Sequence, residues 1–164
     1  MPHLVIDGNA SMTAAVECHN MSTPAQGKAF VTERPVRFSD CDPSGIMFYP
    51  CCLIMLNSVV EDWWAHLGKP WKSLIMERRM GTPTTHLDTI FSAPSAFGDT
   101  VAFHLHVESI GKSSLVLHHI ITGPDQKHRW RARQRLVATS LDTHRSIPWP
   151  DDIRAAINLF LEES

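Results

Sequence analysis

Apolar residues in the first half of the chain recur at helical spacing. Residues with such spacing share one face of an α-helix, so the pattern predicts an amphipathic helix from about Tyr49 or Pro50 to Leu67. Gly68 and Pro70 follow directly, as expected for a residue that ends a helix and one that cannot continue it. The stripe consists of five residues at steps of three or four positions: Leu53, Leu56, Val60, Trp63 and Leu67.

Elsewhere apolar and polar residues alternate, which is typical of half-buried β-strands. The first predicted strand begins at Ala29 and has Phe30, Val36 and Phe38 on its buried face. A final amphipathic helix is predicted at 151–163. Four more predicted strands, separated by short segments with turn chemistry, cover residues 81–92, 100–110, 114–122 and 130–142.

The order of these elements predicts an α+β domain, because a mainly antiparallel sheet needs cover for its apolar face and one long helix can provide it. Residues 1–28 are rich in small and polar side chains without a sustained period. We therefore expect a poorly ordered N-terminal extension at 1–28 and a single domain at 29–164.

Composition narrows the functional classes. The chain has 164 residues and a formal net charge of -2, and its densest basic stretch, residues 127–135, alternates with apolar residues like a strand with one solvated face. A nucleic-acid partner is therefore not expected.

No apolar run is long enough for a membrane span, and the N-terminus does not look like a secretory signal. The four cysteines form no CxxC pair, so we expect a reduced, cytoplasmic protein without a membrane partner.

The segment between the first strand and the long helix, residues 36–50 (VRFSDCDPSGIMFYP), carries the most informative chemistry. Asp40 and Asp42 lie two positions apart on a predicted turn, and Gly45 allows backbone to approach a ligand closely. The helix start near Tyr49 offers unpaired N–H groups and the positive end of the helix dipole, which suit a developing oxyanion. A carboxylate beside such a site suits acyl transfer, although the same residues also occur in ordinary turns and helix caps.

This segment resembles the signature of the 4-hydroxybenzoyl-CoA thioesterase family: an aromatic strand end, Asp-x-Asp-Pro-small-Gly, two apolar residues, an aromatic pair and a long helix. Similarity continues at residues 81–83 (Gly-Thr-Pro) and 111–113 (Gly-Lys-Ser). The resemblance implies a hotdog fold, in which a curved antiparallel β-sheet wraps around one long central α-helix, here with a short C-terminal helix. It also implies an acyl-CoA thioesterase, which hydrolyses an acyl-CoA to the carboxylic acid and CoA.

Carried over by position, the family's catalytic carboxylate falls on Asp42 and its oxyanion donor on the backbone N–H of Tyr49. Gly45 matches the glycine that allows close approach of the thioester, and Asp40 is interpreted as a brace for the turn. The family's carboxylate is argued to act either as a nucleophile, through a mixed anhydride, or as a base on water, and the sequence favours neither. Glu61, on the helix, is interpreted as a surface or interface residue.

Four further residues are candidates for substrate binding: Asn57, Thr82, Lys112 and Ser113. Asn57 lies where the 4-hydroxybenzoyl enzymes carry an Asp that meets the substrate's phenol, so that particular substrate matches less well. Thr82 is expected to line the acyl pocket from the partner chain. Lys112 and Ser113 lie on a turn where a lysine can meet CoA phosphates. For each of them, a solvated or interface side chain is the alternative interpretation.

The resemblance further implies a homodimer or a dimer of dimers with active sites at the subunit interface. Acyl-CoA is the expected substrate, with aromatic acyl groups first and short-chain groups as the alternative, and no cofactor is needed because CoA is part of the substrate. The ten histidines show no metal-site spacing, so no metal is expected. The rivals are enoyl-CoA hydration, whose Asp and His motif is not found, and a non-catalytic hotdog that binds acyl-CoA or a partner protein and does not need Asp42.

Overall fold

The computed structural model describes residues 27–161 of the chain, which contain seven β-strands and three α-helices. The helices are α1 (Tyr49–His66), α2 (Trp71–Met76) and α3 (Asp151–Asn158), and a short 3-10 helix spans Phe38–Asp40. The strands are β1 (Ala29–Pro35), β2 (Met80–Gly81), β3 (Thr84–Phe91), β4 (Thr100–Ile110), β5 (Ser114–Thr122), β6 (His128–Val137) and β7 (Thr139–Ser140).

Five strands form one antiparallel sheet in the order β1-β4-β5-β6-β3, which leaves β1 and β3 at its edges. Alternate residues of β4 are buried in the core, as the sequence pattern predicts: Val101, Phe103, Leu105 and Val107. Strand β2 pairs with β7 in a separate two-stranded sheet. The predicted α+β hotdog architecture, with one long helix against an antiparallel sheet, is confirmed.

Helix α1 supplies the other half of the core, and its largest fully buried side chains are the adjacent Trp63 and Trp64. Trp63 also meets the ring of Phe160 edge-on at 5.8 Å, so the segment after α3 closes the same core. Burial of each large apolar side chain of this kind contributes about 1.5–3 kcal/mol to folding. The predicted stripe divides into buried Leu56, Val60 and Trp63 and half-buried Leu53 and Leu67.

Two predicted strands, 81–92 and 130–142, are each broken in the structure, and both predictions were therefore wrong in extent. The break between β2 and β3 lies opposite the break between β6 and β7. Gly81 of β2 still pairs with Thr139 of β7, and Pro83 interrupts the ladder before β3 begins. Proline has no N–H to donate, but its carbonyl still accepts a hydrogen bond from the Val137 N–H at 3.1 Å. The result is two strand pairs, β3–β6 and β2–β7, in place of one long pair.

The prediction that Phe38 is buried was also wrong, since 81% of it is exposed. Strand β1 ends at Pro35, and the 3-10 helix that follows turns the Phe38 ring out of the domain. There it packs edge-on against Phe97 with 6.0 Å between ring centroids. Val36 is buried as predicted, and its backbone is held by the loop before β4, where its N–H bonds to the Asp99 carbonyl at 2.8 Å.

The short helix α2 was not predicted, and α3 ends at Asn158, earlier than the pattern indicated. Residues 162–164 of the predicted C-terminal helix lie outside the described residues, as do residues 1–26 of the predicted extension. Of the helices between residues 27 and 161, none has both the length and the hydropathy that crossing a bilayer requires.

Candidate active site

Asp40 ties the start of the turn between β1 and α1 to the start of the helix. Its Oδ2 accepts a hydrogen bond from the Arg37 N–H at 2.8 Å, and its carbonyl accepts one from the Phe48 N–H at 2.8 Å. Both of these interactions fix backbone. The side chain of Asp40 is therefore engaged in holding the turn, as a bracing residue would be.

Asp42 is held by the residues that follow it. Its Oδ1 accepts a hydrogen bond from the Ser44 N–H at 2.8 Å and a second one from the Ser44 hydroxyl. The hydrogen bond from the Ser44 hydroxyl is the main reason why the pKa of the Asp42 carboxyl lies below its usual range. The carboxyl group is therefore ionised at neutral pH. The turn is closed by the Gly45 N–H, which bonds to the Asp42 carbonyl at 3.0 Å, and Gly45 has a φ of 80° that favours glycine.

The first turn of α1 leaves one backbone donor without a partner among the described residues. The N–H groups of Cys51 and Cys52 both bond to the Phe48 carbonyl, at 2.8 and 3.3 Å, and Pro50 has no N–H. The Tyr49 N–H remains, and within residues 27–161 no acceptor reaches it. It lies at the positive end of the helix dipole, where a developing negative charge is stabilised.

Asp42 and Tyr49 line the same pocket, whose volume is about 480 Å³. Asp42 contributes the single charged side chain of this pocket among the described residues. The other walls are mainly apolar. The lining residues are Asp42, Ile46, Met47, Phe48, Tyr49, Cys52, Phe91, Ser92, Ala93, Pro94, Ser95 and Trp130.

Phe91 and Trp130 are pocket residues that the sequence did not reveal. They are cross-strand partners on β3 and β6, with ring centroids 5.6 Å apart and planes inclined by 30°. Trp130 also belongs to the core, since it is 2% exposed and packs edge-on against Phe103. The sequence would have indicated that Phe91 and Trp130 form one wall of the pocket only if the register of β3 on β6 had been known.

The four predicted substrate-binding residues do not line this pocket within one chain. Asn57 is exposed on α1, and Thr82 lines a separate pocket of about 250 Å³ together with α2 residues. Lys112 is exposed at the turn between β4 and β5, and Ser113 beside it is half-buried. The carbonyl of Lys112 accepts the Trp149 N–H at 2.9 Å, so the turn backbone is fixed while the ammonium stays free to meet solvent.

Comparison with known proteins agrees with this geometry. Residues 36–157 match the Thioesterase-like superfamily. The 4-hydroxybenzoyl-CoA thioesterase of Pseudomonas sp. (strain CBS-3) is 23% identical over 97 residues, which cover 58% of this chain and 69% of that enzyme. The 1,4-dihydroxy-2-naphthoyl-CoA hydrolase of Synechococcus sp. (strain WH7803) is 28% identical over 140 residues, which cover 80% of this chain and 87% of that enzyme.

Among solved structures, a thioesterase superfamily protein from Jannaschia sp. CCS1 matches this chain with a TM-score of 0.79 at 24% identity. The match covers 87% of this chain and 99% of the Jannaschia chain, so it extends over the whole hotdog domain. The superfamily match includes the turn that carries Asp42, the long helix and four of the five strands of the main sheet, β3 to β6. The chain therefore belongs to the Thioesterase-like superfamily and is a thioester hydrolase with a hotdog fold.

Proposed function

We propose that this chain hydrolyses an acyl-CoA thioester to a carboxylic acid and CoA at the pocket that Asp42 and Tyr49 line. One observation carries the proposal: an ionised carboxylate shares a mainly apolar pocket with a helix N-terminal N–H that has no acceptor within residues 27–161. In this proposal the N–H holds the thioester oxygen, and the carboxylate promotes attack at the thioester carbonyl carbon. The test is release of free CoA thiol from a panel of acyl-CoA substrates.

Two reaction courses fit these groups. In the first, Asp42 takes a proton from water while the water oxygen adds to the carbonyl carbon. The C–S bond then breaks, and the leaving CoA thiolate takes up that proton, which leaves Asp42 ionised again. In the second, a carboxylate oxygen of Asp42 adds to the carbonyl carbon and expels the thiolate, and water hydrolyses the resulting mixed anhydride. The Tyr49 N–H stabilises the oxyanion in both. Each course needs only protein groups and water, so the proposal includes no metal or cofactor.

The acyl group that we propose is aromatic, with short-chain acyl groups as the alternative. Support comes from the aromatic wall of Phe91 and Trp130, which suits a planar ring. Both curated relatives also have aromatic acyl-CoA substrates in their names. Asn57, which is exposed outside the pocket of its own chain, is proposed to meet the distal end of the acyl group once a second copy completes the site. Gly45 is proposed to leave room for the thioester beside Asp42.

Replacing Phe91 by alanine should lower kcat/KM for an aromatic acyl-CoA by about tenfold, because an aromatic contact contributes about 0.5–1.5 kcal/mol beyond its buried area. Acetyl-CoA, which has no ring, should be much less affected. Phe38 provides a matched control, since it is an exposed phenylalanine outside the pocket. Equal losses for aromatic and acetyl substrates, or the same loss for Phe38→Ala, would contradict the aromatic wall.

We also propose that two copies of the chain complete the site, as a homodimer or a dimer of dimers. The pocket rim exposes Phe48, Tyr49 and Phe91 by 47%, 61% and 49%, and such an apolar rim fits a protein partner. A second copy can bring Thr82, Lys112 and Ser113 toward a pocket that they do not reach in their own chain. Sedimentation of the purified protein as a monomer at micromolar concentration would contradict this assembly.

Cys41, Cys51 and Cys52 are free thiols, in keeping with a proposed cytoplasmic location.

Lys112→Ala should raise KM for acyl-CoA with little change in kcat, the pattern of lost uniform binding. The reason is that an exposed ammonium on a fixed turn can neutralise a CoA phosphate, and such interactions are screened over about 10 Å at 0.1 M salt. The KM effect should therefore shrink as salt is added. It should also vanish for a pantetheine thioester that lacks the nucleotide. An equal KM increase for that truncated substrate would show that Lys112 does not contact a CoA phosphate.

A further inference from the structure

The two carboxylate oxygens of Asp42 have different surroundings. Oδ1 accepts both the Ser44 N–H, at 2.8 Å, and the Ser44 hydroxyl. Within residues 27–161 no donor reaches Oδ2. Since an ionised carboxylate oxygen offers about two acceptor positions, Ser44 occupies one oxygen and leaves the other available.

We propose that Ser44 is a positioning residue for the thioesterase reaction, whose hydroxyl holds Oδ1 so that Oδ2 is the oxygen that meets the thioester or the attacking water. The proposal rests on the proposed role of Asp42. It assigns Ser44 no contact with the substrate, because Ser44 acts through the carboxylate. Fixing the carboxylate plane in this way limits rotation about the bond to the carboxyl carbon, and orientation of a reacting group contributes strongly to catalysis.

The hydroxyl is not needed to form the turn. The turn is already closed by two backbone donors: the Ser44 N–H bonds to Oδ1 of Asp42, and the Gly45 N–H bonds to the Asp42 carbonyl at 3.0 Å. The side chain of Ser44 is exposed and fills no space in the core. Its removal should therefore leave the backbone in place and change only the surroundings of the carboxylate.

The hydroxyl bond also has an electrostatic consequence, because hydrogen bonds to ionised groups are strong and favour the ionised form. The Ser44 hydroxyl is the main cause of the lowered pKa of Asp42. The other titratable groups around it are Asp40 and Cys41 in the same turn and Tyr49 and Cys52 on the pocket wall. Burial raises the pKa of the Cys52 thiol to about 11, and the pKa of Cys41 is also raised, so neither thiol titrates in acid.

The test compares Ser44→Ala and Ser44→Thr with wild type, and uses Ser39→Ala as a matched control. Ser39 is an exposed serine of the same segment, and it makes none of the hydrogen bonds that the described residues donate to the Asp42 side chain. Two quantities are measured: the pKa of Asp42 from the titration of its carboxyl carbon by NMR, and the pH dependence of kcat and KM for acyl-CoA hydrolysis. The NMR titration does not depend on activity.

Ser44→Ala should raise the pKa of Asp42, because it removes a bond to the ionised form. The acid limb of kcat/KM should move to higher pH by the same amount, and kcat on the plateau should fall about tenfold with KM little changed. Ser44→Thr keeps a hydroxyl, so its Asp42 pKa and its pH dependence should be those of wild type. Ser39→Ala should also resemble wild type in both measurements. A Ser44→Ala protein with the wild-type titration and the wild-type pH dependence would overturn this proposal alone. Absence of thioester hydrolysis by the wild-type protein would overturn it together with the proposed function.

Discussion

Replacing Asp42 by asparagine should lower kcat by about 10² or more while the fold and the binding of acyl-CoA are retained. Asparagine has nearly the same shape, and its amide oxygen can still accept the bonds that Ser44 donates to Oδ1. It lacks the negative charge, however, so it can neither attack a thioester nor take a proton from water. Steady-state release of thiol, together with binding of a non-hydrolysable acyl-CoA analogue, separates the loss of chemistry from a loss of binding.

Asp40→Asn is the matched control, because Asp40 belongs to the same turn and its oxygen accepts only a backbone N–H among the described residues. It should reduce thermal stability more clearly than it reduces kcat. Near-wild-type turnover by Asp42→Asn would show that Asp42 is not the catalytic carboxylate. A larger loss of kcat for Asp40→Asn, at an unchanged melting temperature, would show that the other carboxylate is the catalytic one.

Tyr49→Pro should lower kcat by about 10²–10³, because it deletes the backbone N–H proposed to hold the oxyanion. Proline suits this position for two structural reasons. Tyr49 is the first residue of α1, where proline is favoured, and Phe48 before it has φ -72° and ψ 130°, which a following proline tolerates. The lost N–H has no acceptor within residues 27–161, so its removal breaks no described hydrogen bond.

Tyr49→Ala is the control, since it removes the ring, which packs on Phe48 at 5.4 Å, but keeps the N–H. Circular dichroism and the melting temperature should show that both variants are folded. A folded Tyr49→Pro protein with the kcat of Tyr49→Ala would show that another donor stabilises the oxyanion. Acetyl-CoA and an aromatic acyl-CoA should suffer equally, because the thioester oxygen is common to both.

The sequence predicted the parts of this fold that depend on local pattern. The apolar stripe predicted helix α1, with a start at about Tyr49 or Pro50, and the alternation of apolar and polar residues predicted the buried face of β4. Phe38 was assigned to the buried face because it continues the alternation of β1. It is exposed because the chain turns after Pro35, and that turn depends on the bond between the Arg37 N–H and the Asp40 side chain.

The candidate site was predictable only where it is continuous in sequence. Asp42 and Tyr49 share one pocket because a single tight turn separates them. Phe91 and Trp130 reach the same pocket through the register of β3 on β6, which a single sequence does not specify. Thr82 and Lys112 lie away from this pocket in one chain, so their proposed roles depend on a second copy.

The most direct measurement of the central claim is thiol release by wild type and Asp42→Asn, side by side, on benzoyl-type and short-chain acyl-CoA substrates. The proposed function predicts that wild type releases one CoA thiol for each carboxylic acid formed, fastest with an aromatic acyl group. Asp42→Asn should bind the same substrates but release thiol at least about 10²-fold more slowly. Binding of acyl-CoA by both proteins with no thiol release by either would contradict the claim and indicate a non-catalytic acyl-CoA-binding protein.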